Sequence, residues 1–187
     1  MLDAASVVFR ERGYAGAGVD AVARAAGVTS GAFYSHFASK EECLAAVVEQ
    51  AITANESNRE RGLESAAGTA WLEGMLRRYL SPAHWRAIGE GCPIPTLVSE
   101  LPRCGAEPRR AFTAALESLL ERMKDKVGAD ADDMDLLMAA LSMAVGAMAL
   151  ARAVADEDMS RRLLNAAADR GIAAMTESLS TGGHDGP

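Results

Sequence analysis

Apolar positions in the first forty residues recur at helical spacing, and the spacing is punctuated by glycine. Leu2, Ala5, Val8 and Phe9 share one face of a helix that Gly13 ends. Val19, Val22, Ala23 and Ala26 repeat at i, i+3, i+4 and i+7, and Gly27 follows as a left-handed C-cap. Val28 is expected to re-enter the core, and Thr29 to cap a second helix from Ser30 to Phe37 with Phe33 and Phe37 buried. Ser30, Tyr34, Ser35 and His36 are left on its outer side. Two short helices joined by a tight glycine turn form a helix-turn-helix pattern, whose second helix is the one that enters a DNA major groove.

The rest of the chain is helical too. Ser39 and Glu42 make a capping box for a helix reaching about Arg61, with Leu44, Val47, Val48, Ala51 and Ile52 inward. Trp71 to Leu80 predicts another, stopped before Pro82. A Pro- and Gly-rich stretch from Gly89 to Pro95 precedes a short helix, Thr96 to Leu101. Pro108 opens a long helix, and two more are expected over 132–155 and 160–179, with the tail 180–187 frayed. No strand alternation or internal repeat is present. The expected fold class is all-α, with a helix-turn-helix domain over 1–42 and a second helical domain over 43–187.

Charge refines this division. The chain of 187 residues carries a formal net charge of −7. Its first forty residues hold Arg10, Arg12, Arg24 and Lys40 against Asp3, Glu11 and Asp20, a local +1 that leaves −8 for the remainder. The acidity therefore lies outside the candidate DNA reader. Cys43, Cys92 and Cys104 are too few and too scattered for a disulfide framework, and Asp3 interrupts any signal-peptide pattern, so a cytoplasmic location is expected. The uncharged run from Leu136 to Ala151 is sixteen residues, short of the roughly 20 that a membrane span needs. A buried bundle or dimer helix is expected instead.

Other chemistries are disfavoured. Gly16, Gly18 and Ala21 match a dinucleotide-binding spacing, but a helix rather than a strand precedes them. His36, His84 and His184 are isolated, no His/Cys pair has zinc spacing, and the common catalytic motifs are missing. No enzyme activity, metal or cofactor is expected.

The segment Gly13 to Leu44 resembles the DNA-binding domain of TetR/AcrR-family transcriptional regulators. The resemblance is carried by Gly13-Tyr14, Val22-Ala23, Ala26-Gly27-Val28, Gly31, Phe33-Tyr34, Phe37, Ser39-Lys40-Glu41 and Leu44. It implies a homodimer that binds palindromic double-stranded operators and releases them when a small molecule enters the second domain. The pattern departs from the family at Ala17-Gly18, where members carry a Thr or Ser pair that caps the helix and touches phosphate. It departs again at Met1, which stands at a first-helix apolar position, so a basic arm is either absent or lies upstream.

Residue types assign the roles. Thr29 and Ser30 are candidates for base edges, and Gly31 and Ala32 for close approach to thymine methyls. Tyr34, His36 and Lys40 are candidates for phosphates, with Ser35 on the same polar face. No arginine lies in this helix to read guanine, which shifts discrimination toward weaker contacts and DNA shape. Trp71, Met75, Tyr79, His84, Trp85 and Cys92 gather aromatic, sulfur and polar groups suited to an apolar or amphipathic effector pocket. Leu141, Val145, Met148, Leu163, Leu164, Ala167 and Met175 are the expected dimer interface. The competing reading is a helical carrier or enzyme whose helix-turn-helix no longer binds DNA.

Overall fold

The computed structural model describes residues 1–53, 62–128 and 133–181, and these are helical with no strand among them. They form α1 (Leu2–Gly16), α2 (Val19–Ala25), α3 (Ser30–Tyr34), α4 (Lys40–Thr53), α5 (Gly68–Tyr79), α6 (Pro82–Arg86), α7 (Ile94–Leu97), a 3-10 turn (Leu101–Arg103), α8 (Ala106–Val127), α9 (Met134–Ala153) and α10 (Glu157–Thr181). The predicted extension of α4 toward Arg61, and the tail with His184, fall outside the described residues.

Two compact units result. One comprises residues 1–55 and 87–117, the other 56–86 and 118–187. The division differs from a cut at residue 42: α4, α7, the 3-10 turn and the first half of α8 group with the three N-terminal helices. The cause is packing. Leu97 and Leu101 are buried in one cluster with Phe9, Val22, Phe33 and Leu44, and Phe112 lies against it.

Within the first unit, α1 is broken at Gly13, whose φ of +68° no other residue type adopts easily. After α2, the Gly27 N–H bonds the Arg24 carbonyl at 3.1 Å and the Val28 N–H bonds Ala23 at 3.0 Å. That pair is a Schellman motif, which closes the helix and turns the chain. Its geometry leaves the Val28 side chain at the surface, 41% exposed, rather than in the core as the sequence pattern suggests. The helix α3 is shorter than predicted, ending at Tyr34. The Ser35 hydroxyl donates to the Ala32 carbonyl at 2.7 Å, a local bond that competes with continued helix. Ser39 caps α4 through the Glu42 N–H at 3.0 Å, while the Glu42 carboxylate reaches back to the Ala38 N–H at 2.5 Å.

The second unit is built on a hairpin of α9 and α10, joined by a connection of only three residues, 154–156. α10 begins three residues earlier than its apolar pattern indicates, because the Asp156 carboxylate accepts the Met159 N–H at 2.6 Å. Buried Leu137, Ala140, Ala144 and Met148 of α9 belong to the same core as Leu164, Ala168 and Met175 of α10 and Trp71, Leu72 and Leu76 of α5. Gly171 permits the close approach. A Cβ there would lie 3.1 Å from Leu76 Cδ1 and 3.8 Å from Ala140 Cβ. α9 is 20 residues long with a mean hydropathy of 1.8, so the length argument against a membrane span does not hold for the helix as folded. Its small-residue face is packed within this unit.

Candidate nucleic-acid interface

Phe33 anchors α3. It is fully buried, with the rings of Tyr34 and Phe37 at centroid distances of 5.4 and 5.5 Å. With one face so fixed, Thr29, Gly31, Tyr34, Ser35 and His36 are exposed, and Ser30 and Ala32 are half-buried. The sequence-predicted contact set is therefore displayed on one short helix and its flanks. The Thr29 oxygen accepts the Ala32 N–H at 3.2 Å, which caps the helix and leaves the hydroxyl proton for an outside acceptor. A Cβ on Gly31 would meet only Thr29 Oγ1, at 3.8 Å. Nothing among the described residues demands glycine at this position. Its bareness leaves space for a partner.

Ser30 is more constrained than its sequence position suggests. Its hydroxyl donates to the Asp20 carboxylate at 2.5 Å, so the residue expected to touch a base also ties α3 to α2. Gly18 caps α2 through its backbone alone, with no side-chain bond.

Lys40 opens α4 with its ammonium 4.1 Å from the centroid of the Tyr14 ring, a cation–π contact. Burial lowers its pKa, opposed by Cys104 and Glu100. Tyr14 is pushed up to about 12, by burial first and then by Cys104, Glu41 and Cys43. The Tyr14 backbone N–H donates to the Glu100 carboxylate. The Gly105 N–H donates to Glu41 Oε1 at 2.8 Å, and Cys104 Sγ lies 3.5 Å from the Glu100 carbonyl oxygen. Sequence reasoning missed Glu100 because 86 residues separate it from Tyr14 and no local pattern marks it.

The residues expected to line an effector pocket divide. Cys92 lies in the first unit and is buried. Trp71, Met75, Tyr79, His84 and Trp85 lie in the second. The Tyr79 and His84 rings meet edge to face at 4.7 Å, and His84 Nδ1 is 2.6 Å from the Tyr79 carbonyl oxygen. The Trp85 indole N–H donates to the Ala151 carbonyl at 2.9 Å, and Arg152 donates back to the His84 carbonyl at 3.1 Å. Trp85 and His84 thus cap the end of α9. Trp71 differs. It is 3% exposed, and its buried indole N–H has no hydrogen-bond partner among the described residues.

The expected dimer residues divide as well. Met148, Leu164 and Met175 are at most 1% exposed in the single chain. Spent on the unit's own core, they have no surface left for a partner, which corrects their assignment. Leu141, Val145, Leu163 and Ala167 remain half-buried, and Met138, Met143, Leu150 and Met159 are exposed although apolar. Helical periodicity does not say which apolar stripe of each helix faces inward.

Residues 1–47 match the family model described as bacterial regulatory proteins, tetR family. The HTH-type transcriptional regulator UidR of Escherichia coli strain K12 is 25% identical over 97% of this chain and 91% of its own length. The HTH-type transcriptional repressor DhaR of Mycobacterium sp. strain GP1 is 31% identical over 54% of this chain and 50% of its own. A crystal structure of a TetR transcriptional regulator from Legionella pneumophila superposes with a TM-score of 0.75 at 19% identity, covering 93% of this chain and 94% of that one.

Proposed function

We propose, on the premise that this chain belongs to the TetR family of bacterial transcriptional regulators, that it is a repressor working in the cytoplasm. It binds a palindromic DNA operator as a homodimer and leaves it when a small apolar or amphipathic effector binds the second unit. The observation that carries this reading is the polar, small-residue face of α3, presented outward on a buried Phe33. Thr29 and Ser30 meet base edges, Gly31 and Ala32 admit the backbone close to the groove, and Tyr34, Ser35, His36 and Lys40 meet phosphates and sugars.

Dimerisation supplies what one weakly basic reader lacks. Specific affinities of roughly 10⁻⁸ M or tighter take more contacts than a five-residue helix makes. The uncovered apolar residues of α9 and α10, Met138, Leu141, Met143, Val145 and Leu150 with Leu163 and Ala167, form the partner surface. Two-fold symmetry then sets half-sites about one turn of DNA, roughly 34–36 Å, apart.

The Trp71 N–H supports an effector bearing a hydrogen-bond acceptor. A buried donor without an acceptor costs about 1–3 kcal/mol, which an oxygen of the effector recovers on entry. The effector's acceptor, rather than its charge, is the feature that Trp71 selects.

Selection of duplexes from a random library, followed by gel shift, tests the DNA half of the proposal. Enrichment of an inverted repeat is expected. Retention of the library without any consensus leaves the competing reading, a helical carrier or enzyme with an idle helix-turn-helix.

A further inference from the structure

We infer that Glu100 is a positioning residue of the DNA interface: its carboxylate fixes the Gly13–Tyr14 turn, and the turn holds the Tyr14 ring against which the Lys40 ammonium rests. The inference rests on the reading of Lys40 as a phosphate contact.

Three observations converge on this carboxylate. The Tyr14 N–H, left over where α1 breaks, donates to Glu100. At Gly13 a Cβ would sit 2.6 Å from Glu100 Oε1 and displace that carboxylate, and the φ of +68° strains any other residue. The Lys40 ammonium stands 4.1 Å from the Tyr14 ring centroid. Glu100 is itself held in place. Leu97 and Leu101 on either side of it are buried in the reader's core. One turn further on, the Gly105 N–H donates to Glu41, the residue after Lys40. The segment from Ile94 to Gly105 therefore grips the reader at both partners of the cation–π pair.

The physical effect concerns freedom of motion. A lysine side chain loses about 1.5–2 kcal/mol of rotamer entropy when it is fixed. A lysine already resting on an aromatic ring has lost part of that before DNA arrives. If the Gly13–Tyr14 turn loosens, the ring moves and Lys40 returns to being a mobile surface charge.

A carboxylate near DNA also repels phosphate, so simple electrostatics and positioning predict opposite outcomes. Removing a negative charge without any positioning role strengthens duplex binding. Removing a positioning residue weakens it and lowers its salt dependence.

The test measures duplex affinity between 50 and 200 mM salt for the full chain and for Lys40→Ala, Glu100→Ala, Glu100→Gln and Glu100→Ala/Lys40→Ala, using a duplex enriched by the parent protein. Lys40→Ala is expected to lower the slope of log K against log salt by about 0.9 per protomer. Glu100→Ala is expected to lower the slope comparably and affinity several-fold, while the double variant is no worse than Lys40→Ala. Glu100→Gln, which keeps an acceptor for the Tyr14 N–H and removes the charge, is expected to keep the parental slope and to bind as tightly as the parent or more tightly. If Lys40→Ala lowers the slope and Glu100→Ala does not, the inference is overturned while the phosphate role of Lys40 stands. An unchanged slope for Lys40→Ala removes that role and the inference with it. Should Glu100→Ala not fold, Tyr14→Leu replaces it, removing the ring and keeping the backbone N–H. A parental slope for Tyr14→Leu overturns the inference as surely.

Discussion

Asp20 accepts the hydroxyl of Ser30 at 2.5 Å, so the first residue of the recognition helix is oriented by the helix before it. The carboxylate points Ser30 and at the same time places a negative charge beside the surface expected to meet phosphate. Asp20→Ala should therefore bind random duplex slightly more tightly and discriminate less well at the base that Ser30 meets. Parallel library selections with parent and variant measure this. An unchanged consensus contradicts the assignment of Ser30 to a base edge.

Two glycines of the same unit predict opposite phenotypes. Gly31→Ala meets nothing closer than 3.8 Å and gains helix propensity, so stability should hold or rise by up to about 1 kcal/mol. Its DNA affinity should fall, because the methyl occupies space reserved for the groove. Gly13→Ala must adopt φ near +68° and displace Glu100, and should lose about 1–3 kcal/mol. Thermal melts and gel shifts on both variants separate the effects. Loss of stability in Gly31→Ala would show that its glycine serves the fold.

Alkaline pH should destabilise the first unit in a defined window. Burial pushes the Cys43 thiol up to about 11 from 9.0, so the folded form keeps a proton that the unfolded chain has released. The stabilisation is complete below pH 9 and is lost as pH rises from about 9 to 11, by up to roughly 2–3 kcal/mol. Cys43→Ala should flatten that part of the curve after its own packing cost is subtracted at pH 7. Denaturant midpoints between pH 7 and 11 provide the measurement, and parallel curves for parent and variant would contradict the assignment.

Assembly depends on the outer stripe of α9. Met143→Glu with Leu150→Glu places charges on two exposed apolar residues, so the monomer should fold normally while the dimer dissociates. Light scattering at micromolar concentration should show half the parental mass. A parental mass would move the interface to another surface.

The effector site is tested at Trp71. Trp71→Phe keeps most of the buried volume and removes the unpartnered N–H. Any compound that releases operator from the parent should bind this variant about tenfold or more weakly, as expected for one lost hydrogen bond. Equal binding would assign the indole to packing alone.

How much of this was legible in the sequence depended on range. The helix-turn-helix was, because its determinants are local: the Gly27 cap, the Thr29 cap, the Phe33/Phe37 spacing and the Ser39–Glu42 box all act within four residues. The apolar pattern of α9 and α10 was also clear, yet it could not rank Met148 inward and Leu150 outward. An alanine-rich helix offers apolar residues on every side, and only the packing of its neighbouring helices decides. Glu100 and the inclusion of residues 87–117 in the reader were not legible at all. They depend on contacts between segments some 86 residues apart, which no periodicity records. Val28 was misplaced for a different reason: the pattern identifies it as apolar, but the Schellman geometry after Gly27 decides where it points.

The proposed role of α3 is to read sequence in double-stranded DNA. Fluorescence anisotropy at 150 mM salt, comparing the selected inverted repeat with a scrambled duplex of equal length and composition, tests it most directly. The account predicts that the parent prefers the repeat by at least about 10³-fold, and that Tyr34→Ala, altered at a residue 58% exposed, weakens both complexes without changing thermal stability. Equal affinity of the parent for the two duplexes would contradict it.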